Sequence, residues 1–345
     1  MIGTLLTSRQ RVRSTRICGP VLLSILLASV NGCIDPGDPG TLVPPTVDED
    51  LDLPGMGVVV DGVERRIHLR EFGDPSSPVL FILPGSASDI RAYLPLQLLA
   101  DDYRVVMWDL PGNGLSERVP PEELEFHRVA ESIEAVRQQI SPDRPITILG
   151  HSWSATIAAL YLGAYPDAVF QAVLIESPGL KDEFQEQVGL ALDLAAPGYL
   201  EMVWNTEYMP TDHEGLDYQM LAMSRSKIRH FFCPGKPNPE WPVWRPGALA
   251  LIVWERSVLS GTSFSYDFTP GLDRFTGEVL IVGTECSPLG TEFQEKTNLT
   301  VFQNATMLHI PDSNHRILTE QFDALVTGLR DFLDPVGAAT AGGGS

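Results

Sequence analysis

The chain has 345 residues, enough to bury one large core and still carry an insertion. Its formal net charge of −21 sets nucleic acid aside as an expected partner and gives a self-repelling surface. A hydrophobic share of 43% excludes both a disordered chain and a polytopic membrane protein.

The first 33 residues read as a targeting segment. Arg9, Arg11, Arg13 and Arg16 form a basic start, and residues 17–30 are an apolar run too short to span a bilayer comfortably. The run ends in Leu27, Ala28, Ser29, Val30, Asn31, Gly32, Cys33, which resembles a bacterial lipoprotein signal. That resemblance implies export to the bacterial cell envelope and a lipid-modified Cys33 that anchors the protein to a membrane. A plain secretory signal is the alternative, leaving the protein periplasmic or secreted. With Cys18 in the signal and Cys33 lipidated, Cys233 and Cys286 are left. An oxidising compartment would pair them if their Cα atoms are close, and two buried free thiols are the alternative.

Residues 34–55 are rich in Pro, Gly and acids without periodicity, which predicts an extended, solvated linker. From there the patterning becomes globular. Val58, Val59 and Val60, then residues 66–70, predict a hairpin with Asp61 and Gly62 at its turn. Val79–Leu83 is a continuous apolar strand, followed by Pro84, Gly85, Ser86 and a helix near 91–99. Residues 103–108 are the next strand, and 122–140 a helix with Phe126, Val129, Ile133 and Val136 on one face. Residues 146–149 form a strand that meets Gly150, His151, Ser152 and then an Ala-rich helix. Residues 172–175 are again a strand. Strands alternating with helices and buried on both faces predict an α/β fold with a mostly parallel sheet covered by helices; residues 56–176 make its first part.

Residues 177–275 break the alternation and hold Trp204, Trp241, Trp244 and Trp254. They are expected to form an inserted helical cap, with helices near 183–194 and 216–229. The alternation resumes over 276–335, with strands at 279–282 and 306–310 and helices at 291–296 and 320–332. Residues 336–345 read as a disordered Gly/Ala tail.

Strand, tight turn with a central Ser, helix is the context of a nucleophile elbow. The turn strains the Ser backbone and exposes its hydroxyl, and small residues are needed two before and two after it; Gly150 and Ser154 stand there. With the elbow, three more motifs in order make the chain resemble the α/β-hydrolase fold over residues 60–335. Pro84, Gly85, Ser86 is similar to the family's His-Gly-x oxyanion turn. Asp109-x-Pro111-Gly112-x-Gly114-x-Ser116 resembles its D-x-R/P-G-x-G-x-S loop, with Asp109 bracing loops. Asp312, Ser313, Asn314, His315 follows the last strand, where the family places its histidine. Ser-Trp after Gly-His gives a flavour of the proline-iminopeptidase-like hydrolases.

A serine hydroxyl needs a base to become a useful nucleophile. Of seven His, His315 alone lies in a late strand-to-helix loop and is the expected base for Ser152. His309 lies in a strand, His151 in the elbow itself, and His68, His127, His213 and His230 read as surface or cap residues. The acid that orients the imidazole is harder to assign. The family usually places an Asp three residues after the Gly that ends the penultimate strand, and here that position is Cys286. Glu285 is therefore the expected acid, with Glu176, after the strand that follows the elbow, as the rival. The oxyanion donors implied are the backbone N–H groups of Ser86 and Trp153. Glu201, Glu207 and Glu214 in the cap are candidates for a substrate amine, against a reading as solvated surface carboxylates. The expected activity is a serine hydrolase acting on an ester or amide of a small molecule or short peptide, with no cofactor, no metal and no obligate protein partner. The competing class is an inactive, hydrolase-derived binding or scaffold protein. Its support is three departures from the family pattern: Ser154 for Gly, Pro84 for His, and the displaced acid.

Overall fold

The computed structural model describes residues 42–181, 213–224, 233, 235–236, 241–260 and 267–340. The expected signal, Cys33, all of the expected cap helix near 183–194, the end of that near 216–229, and Glu201, Trp204, Glu207 and His230 lie outside the described residues. Among the described residues there are eight strands: β1 (Gly55–Val60), β2 (Val63–Phe72), β3 (Val79–Leu83), β4 (Arg104–Trp108), β5 (Ile146–His151), β6 (Val169–Ile175), β7 (Glu278–Thr284) and β8 (Ala305–Ile310). They form one sheet in the order β1-β2-β4-β3-β5-β6-β7-β8. The pairings of β1 with β2 and of β2 with β4 are antiparallel, and all the others are parallel. The β1–β2 hairpin turns at Asp61 and Gly62, both at positive φ, which matches the right-handed twist of the flanking strands.

The helices are α1 (Phe126–Ile140), α2 (Trp153–Ala164), α3 (His213–Ser224), α4 (Ala248–Ser260), α5 (Thr291–Thr297), α6 (Ile317–Glu320), α7 (Phe322–Phe332) and α8 (Pro335–Thr340). Residues Ile90–Asp101, expected as an α-helix, wind as 3₁₀ turns with Pro95 inside, since proline removes a backbone donor. Alternate side chains of β3 serve opposite layers. Val79, Phe81 and Leu83 pack with α1 and α2 residues such as Phe126 and Ile157. Leu80 and Ile82 pack with Tyr93, Leu96, Leu325 and Leu329 on the other face. A strand buried on both sides must be apolar throughout, which is why its run is continuous.

Two sequence expectations need correction at the domain edges. The segment expected as solvated linker over 34–55 is docked in its latter part, because Val43, Thr46 and Val47 are buried. Val47 donates its N–H to Leu115 O (2.9 Å), and Arg66 Nε donates to Val47 O (3.0 Å). At the other end, residues 336–340 of the tail expected to be disordered lie in α8, with Ala338 buried, and residues 341–345 lie outside the described residues.

Between β6 and β7 the described residues contain α3, α4 and no strand. This segment is fastened to the core by buried charge. Asp217 of α3 accepts from Arg245 Nε (2.7 Å), Arg118 Nη2 (3.0 Å) and Ala248 N (2.7 Å). Arg245 Nη1 also reaches Pro44 O and Glu49 Oε2, each at 3.1 Å. Asp89, at the start of the 3₁₀ turns, accepts the Trp244 and Arg245 N–H groups at 2.5 and 2.9 Å. Burial alone would push the Asp217 carboxyl up, but Arg118 and Arg245 more than offset this and hold it below its ordinary value of 3.8. Its ionised form therefore stabilises the fold at neutral pH, and that contribution is lost as pH falls below the ordinary Asp range. Asp217→Asn is expected to cost about 3–5 kcal/mol in denaturant unfolding at neutral pH, because it leaves two buried guanidiniums short of countercharge. The variant should also lose part of the wild-type destabilisation seen on acidification, as followed by thermal unfolding against pH.

Candidate active site

The chain runs from β3 outward to β4 and then returns across β3 to β5, so the direction of strand addition reverses between β3 and β5. In open α/β sheets the crevice at the C-terminal ends of such strands is where ligands bind. Pro84, Gly85 and Ser86 follow β3, Ser152 follows β5, Glu176 follows β6, and His315 lies in the loop after β8. The fold thus gathers at one sheet edge residues that are up to 231 positions apart in the chain, from Pro84 to His315.

Ser152 sits at φ 57°, ψ −128°, between the last residue of β5 and the first of α2. For a residue with a Cβ this conformation is strained, and it is held by Ser152 N donating to Ile175 O (2.8 Å) and by Ala155 N donating to Ser152 O (2.9 Å). Gly150 is required by contact: a Cβ there would lie 2.4 Å from Ser154 O and 2.7 Å from Ala155 Cα. Trp153 is the first residue of α2. Its indole stacks on Phe126 with centroids 5.5 Å apart.

The oxyanion-turn residues lie against the elbow. A Cβ placed on Gly85 would lie 3.1 Å from Ser152 Cβ and 3.2 Å from His151 O. Ser86 and Ala87 form the turn, half-buried, with Ala87 at positive φ. Two of the departures from the family pattern meet here. The Ser154 hydroxyl, in place of a glycine hydrogen, donates to the carbonyl of Pro84, which stands in place of the usual histidine.

His315 lies beside the elbow, with its ring centroid 4.6 Å from that of His151. Its Nδ1 is 2.5 Å from Glu176 Oε2. Glu176 is fully buried, at φ 44°, and its other oxygen, Oε1, accepts the Thr284 N–H (3.0 Å) and the Thr284 hydroxyl. The expectation that Glu285 orients His315 is corrected by this geometry. Glu285 is exposed, and its Oε2 accepts the Asp312 N–H at 2.7 Å, so it braces the backbone of the histidine loop and does not reach the imidazole. Cys286, at the family's usual acid position, is bonded to Cys233 with Cα atoms 4.9 Å apart. The chemistry of that position has been given over to tying residue 233 to the loop after β7. Lys236 adds an ion pair to Asp312 at 2.5 Å.

Asp109 accepts the Ile90 N–H (2.8 Å), the Leu115 N–H (2.9 Å) and His68 Nδ1 (2.8 Å), and so braces three segments. Gly114 makes room for it, since a Cβ there would lie 2.1 Å from the Asp109 carboxylate. His68, read from sequence as a surface or cap residue, is buried in this pair. Glu214 lies in the first turn of α3. Trp241 forms a half-buried wall beside the elbow, with its ring 6.0 Å from His151 and its Nε1 donating to Ser88 Oγ at 3.0 Å. Sequence reading placed Trp241 only in the cap. Among the described residues no three His, Cys, Asp or Glu side chains cluster as a metal site would, and no helix is long and apolar enough to cross a membrane.

Glu176→Gln is expected to lower kcat by about 10³–10⁴-fold, by analogy with the loss of an orienting acid elsewhere. Glu285→Gln is expected to lower it by no more than about tenfold, since the amide oxygen can still accept the Asp312 N–H. Steady-state kinetics on any ester the protein turns over would separate the two carboxylates.

Residues 78–197 match the family described as alpha/beta hydrolase fold. The chain is 26% identical to a proline iminopeptidase of Heyndrickxia coagulans, over 80% of this chain and 98% of that protein. Among solved structures it is similar to a thermophilic esterase from Thermogutta terrifontis, with TM-score 0.56, 15% identity, and coverage of 81% of this chain and 97% of that one. It is also similar to an epoxide hydrolase from metagenomes of hot environments, with TM-score 0.61, 16% identity, and coverage of 82% and 99%. Strand order, site position and these likenesses agree, and the chain is a hydrolase of the α/β-hydrolase fold.

Proposed function

We propose that the protein is an exported serine hydrolase that cleaves an ester or amide bond through an acyl-enzyme on Ser152. The observation that carries this reading is the His315–Glu176 hydrogen bond of 2.5 Å beside a serine held at φ 57° on the elbow. In this mechanism His315 Nε2 takes the Ser152 proton as the hydroxyl attacks the substrate carbonyl, and later gives it to the leaving oxygen or nitrogen. Glu176 holds Nδ1–H and stabilises the imidazolium. The N–H groups of Trp153 and Ser86 receive the oxyanion. Water then attacks the acyl group, with His315 again as base, and releases the acid and free Ser152.

The likeness to a proline iminopeptidase over most of both chains favours substrates with a free amino terminus, such as short peptides or aminoacyl amides. The segment between β6 and β7 acts as the cap that selects them. Asp217 is not the amine receptor in this scheme, because Arg118 and Arg245 engage it. The half-buried Trp241 beside the elbow suits an apolar ring or acyl group.

Export and anchoring through a lipid on Cys33 belong to the same proposal. They are supported by the basic start, the apolar run and the residues before Cys33. The Cys233–Cys286 disulfide, of a kind rare in reducing compartments, supports export independently.

A fluorophosphonate probe is expected to label the purified protein, with labelling lost in Ser152→Ala and slowed at least about 100-fold in His315→Ala. A folded wild-type protein that never labels would overturn the mechanism. Panels of p-nitrophenyl esters and aminoacyl p-nitroanilides then separate esterase from aminopeptidase. Metabolic labelling with a palmitate analogue should mark the protein in its host and fail in Cys33→Ser; equal labelling of both would end the anchor reading.

A further inference from the structure

Beneath the site lies a buried pair that the mechanism above does not use. Tyr93, fully buried in the 3₁₀ turns after β3, has its hydroxyl 2.5 Å from His151 Nδ1 and accepts the Gly85 N–H at 2.9 Å. His151 Nε2 is 3.0 Å from the backbone carbonyl of His315. A carbonyl can only accept, so Nε2 carries the proton and Nδ1 presents a lone pair. Tyr93 O–H must then donate to Nδ1, which leaves its oxygen free to accept from Gly85. One tautomer satisfies every donor and acceptor in the chain.

Burial supports this assignment. Desolvation, with His315 adding to it, holds His151 well below imidazole's usual value, so it stays neutral, and burial pushes the Tyr93 phenol up. Trp241 covers the pair, with its ring edge-on to Tyr93 at 5.9 Å.

The three backbone sites joined in this way are Gly85 beside the oxyanion turn, His151 beside the nucleophile, and His315 itself. Resting on the serine-hydrolase reading, we infer that Tyr93 and His151 are positioning residues that set the oxyanion turn, the elbow and the base against one another through one directional hydrogen-bond chain. A displacement of about 1 Å between reacting groups can cost about 100-fold in rate, so such a chain bears on kcat without touching substrate.

The test compares Tyr93→Phe, His151→Leu and His151→Gln in the full mature protein, each shown folded by circular dichroism and assayed well below its unfolding temperature. Gln can accept through Oε1 and donate through Nε2, as the imidazole does. Tyr93→Phe and His151→Leu are expected to lower kcat on a p-nitrophenyl ester, and the fluorophosphonate inactivation rate, by about 100-fold with KM unmoved. His151→Gln should recover to within about tenfold of the wild type. Wild-type rates in folded Tyr93→Phe and His151→Leu would overturn the inference, as would a His151→Gln that falls as far as His151→Leu. Nitrogen-15 NMR of the wild-type imidazoles needs no variant to fold. A neutral, Nε2-protonated His151 is expected across about pH 5 to 8, and a ring that is protonated on Nδ1 or that titrates in that range overturns the chain. A wild type that never labels sinks the serine-hydrolase reading, whereas a labelled wild type matched by equally fast variants sinks only this inference.

Discussion

The contact on which the site depends is the one between Glu176 and His315. A fully buried carboxylate is tolerated only when its oxygens are engaged, and Glu176 has three partners: the Thr284 N–H, the Thr284 hydroxyl and His315 Nδ1. Two of these come from the end of β7, the strand beside β6 in the sheet. Parallel pairing therefore both delivers the carboxylate to the sheet edge and supplies the donors that fix its direction. The imidazole is the remaining donor, and removing it would leave a buried charge under-satisfied. In this way the geometry of the proposed base is written into the energetics of the fold.

The same logic governs the attachment of the segment between β6 and β7. Its described helices contribute apolar residues to the core, among them Leu216, Met220, Ile252 and Trp254. Apolar burial has no direction, and here direction comes from the buried ions. Asp217 joins α3 to Arg245 and to Arg118 of the core, while Arg245 reaches back to Pro44 and Glu49. Residues 43–50 thus act as part of the domain, sharing with Asp217 the pairing of a buried arginine. The disulfide and the Lys236–Asp312 pair fasten the stretch between Asp217 and Arg245 to the loops that follow β7 and β8.

Much of this was legible in the sequence because its signals are local. The continuous apolar run of β3 and the strand-turn-helix around Ser152 declare themselves within a dozen residues. The expectation for His315 rests on chain order and on its place in a late strand-to-helix loop. The orienting carboxylate was not, because its position is a property of the sheet and not of the chain. Glu176 and Glu285 each end a strand, those strands are neighbours, and nothing in either local sequence says whose side chain turns toward the imidazole. The one available signal was Cys286 itself, since a cysteine at the usual acid position in a chain with one other unassigned thiol points to a different use of that site. Residues 43–55 misled for another reason: Pro, Gly and acidic residues describe a solvated linker and a docked strap equally well, and the partner, Arg245, lies about 200 residues away. Tyr93 and His151 were silent as well, since a tyrosine in 3₁₀ turns and a histidine next to a nucleophile acquire meaning only when folding brings them within 2.5 Å.

The departures from the family pattern argue for a site rearranged as a whole. If each were independent decay, the altered positions would bear no relation to one another. Instead the changes answer one another. The hydroxyl that Ser154 introduces is received by the carbonyl of Pro84, the other altered position. The acid absent from 286 is matched by a carboxylate at 176 that reaches the same imidazole from the adjacent strand. The vacated position is bonded to Cys233, and Glu285 beside it supports the histidine loop through Asp312 N. Compensation of this kind has a cost in constraint, because each altered residue now requires its partner. A scaffold that only needed to fold would have no reason to keep His315, Glu176 and a strained Ser152 mutually arranged, and the strain at Ser152 is the most telling of these. A positive-φ conformation at a residue with a Cβ opposes folding by about 1–3 kcal/mol, and the proposed need for a hydroxyl standing clear of the sheet edge accounts for its being kept.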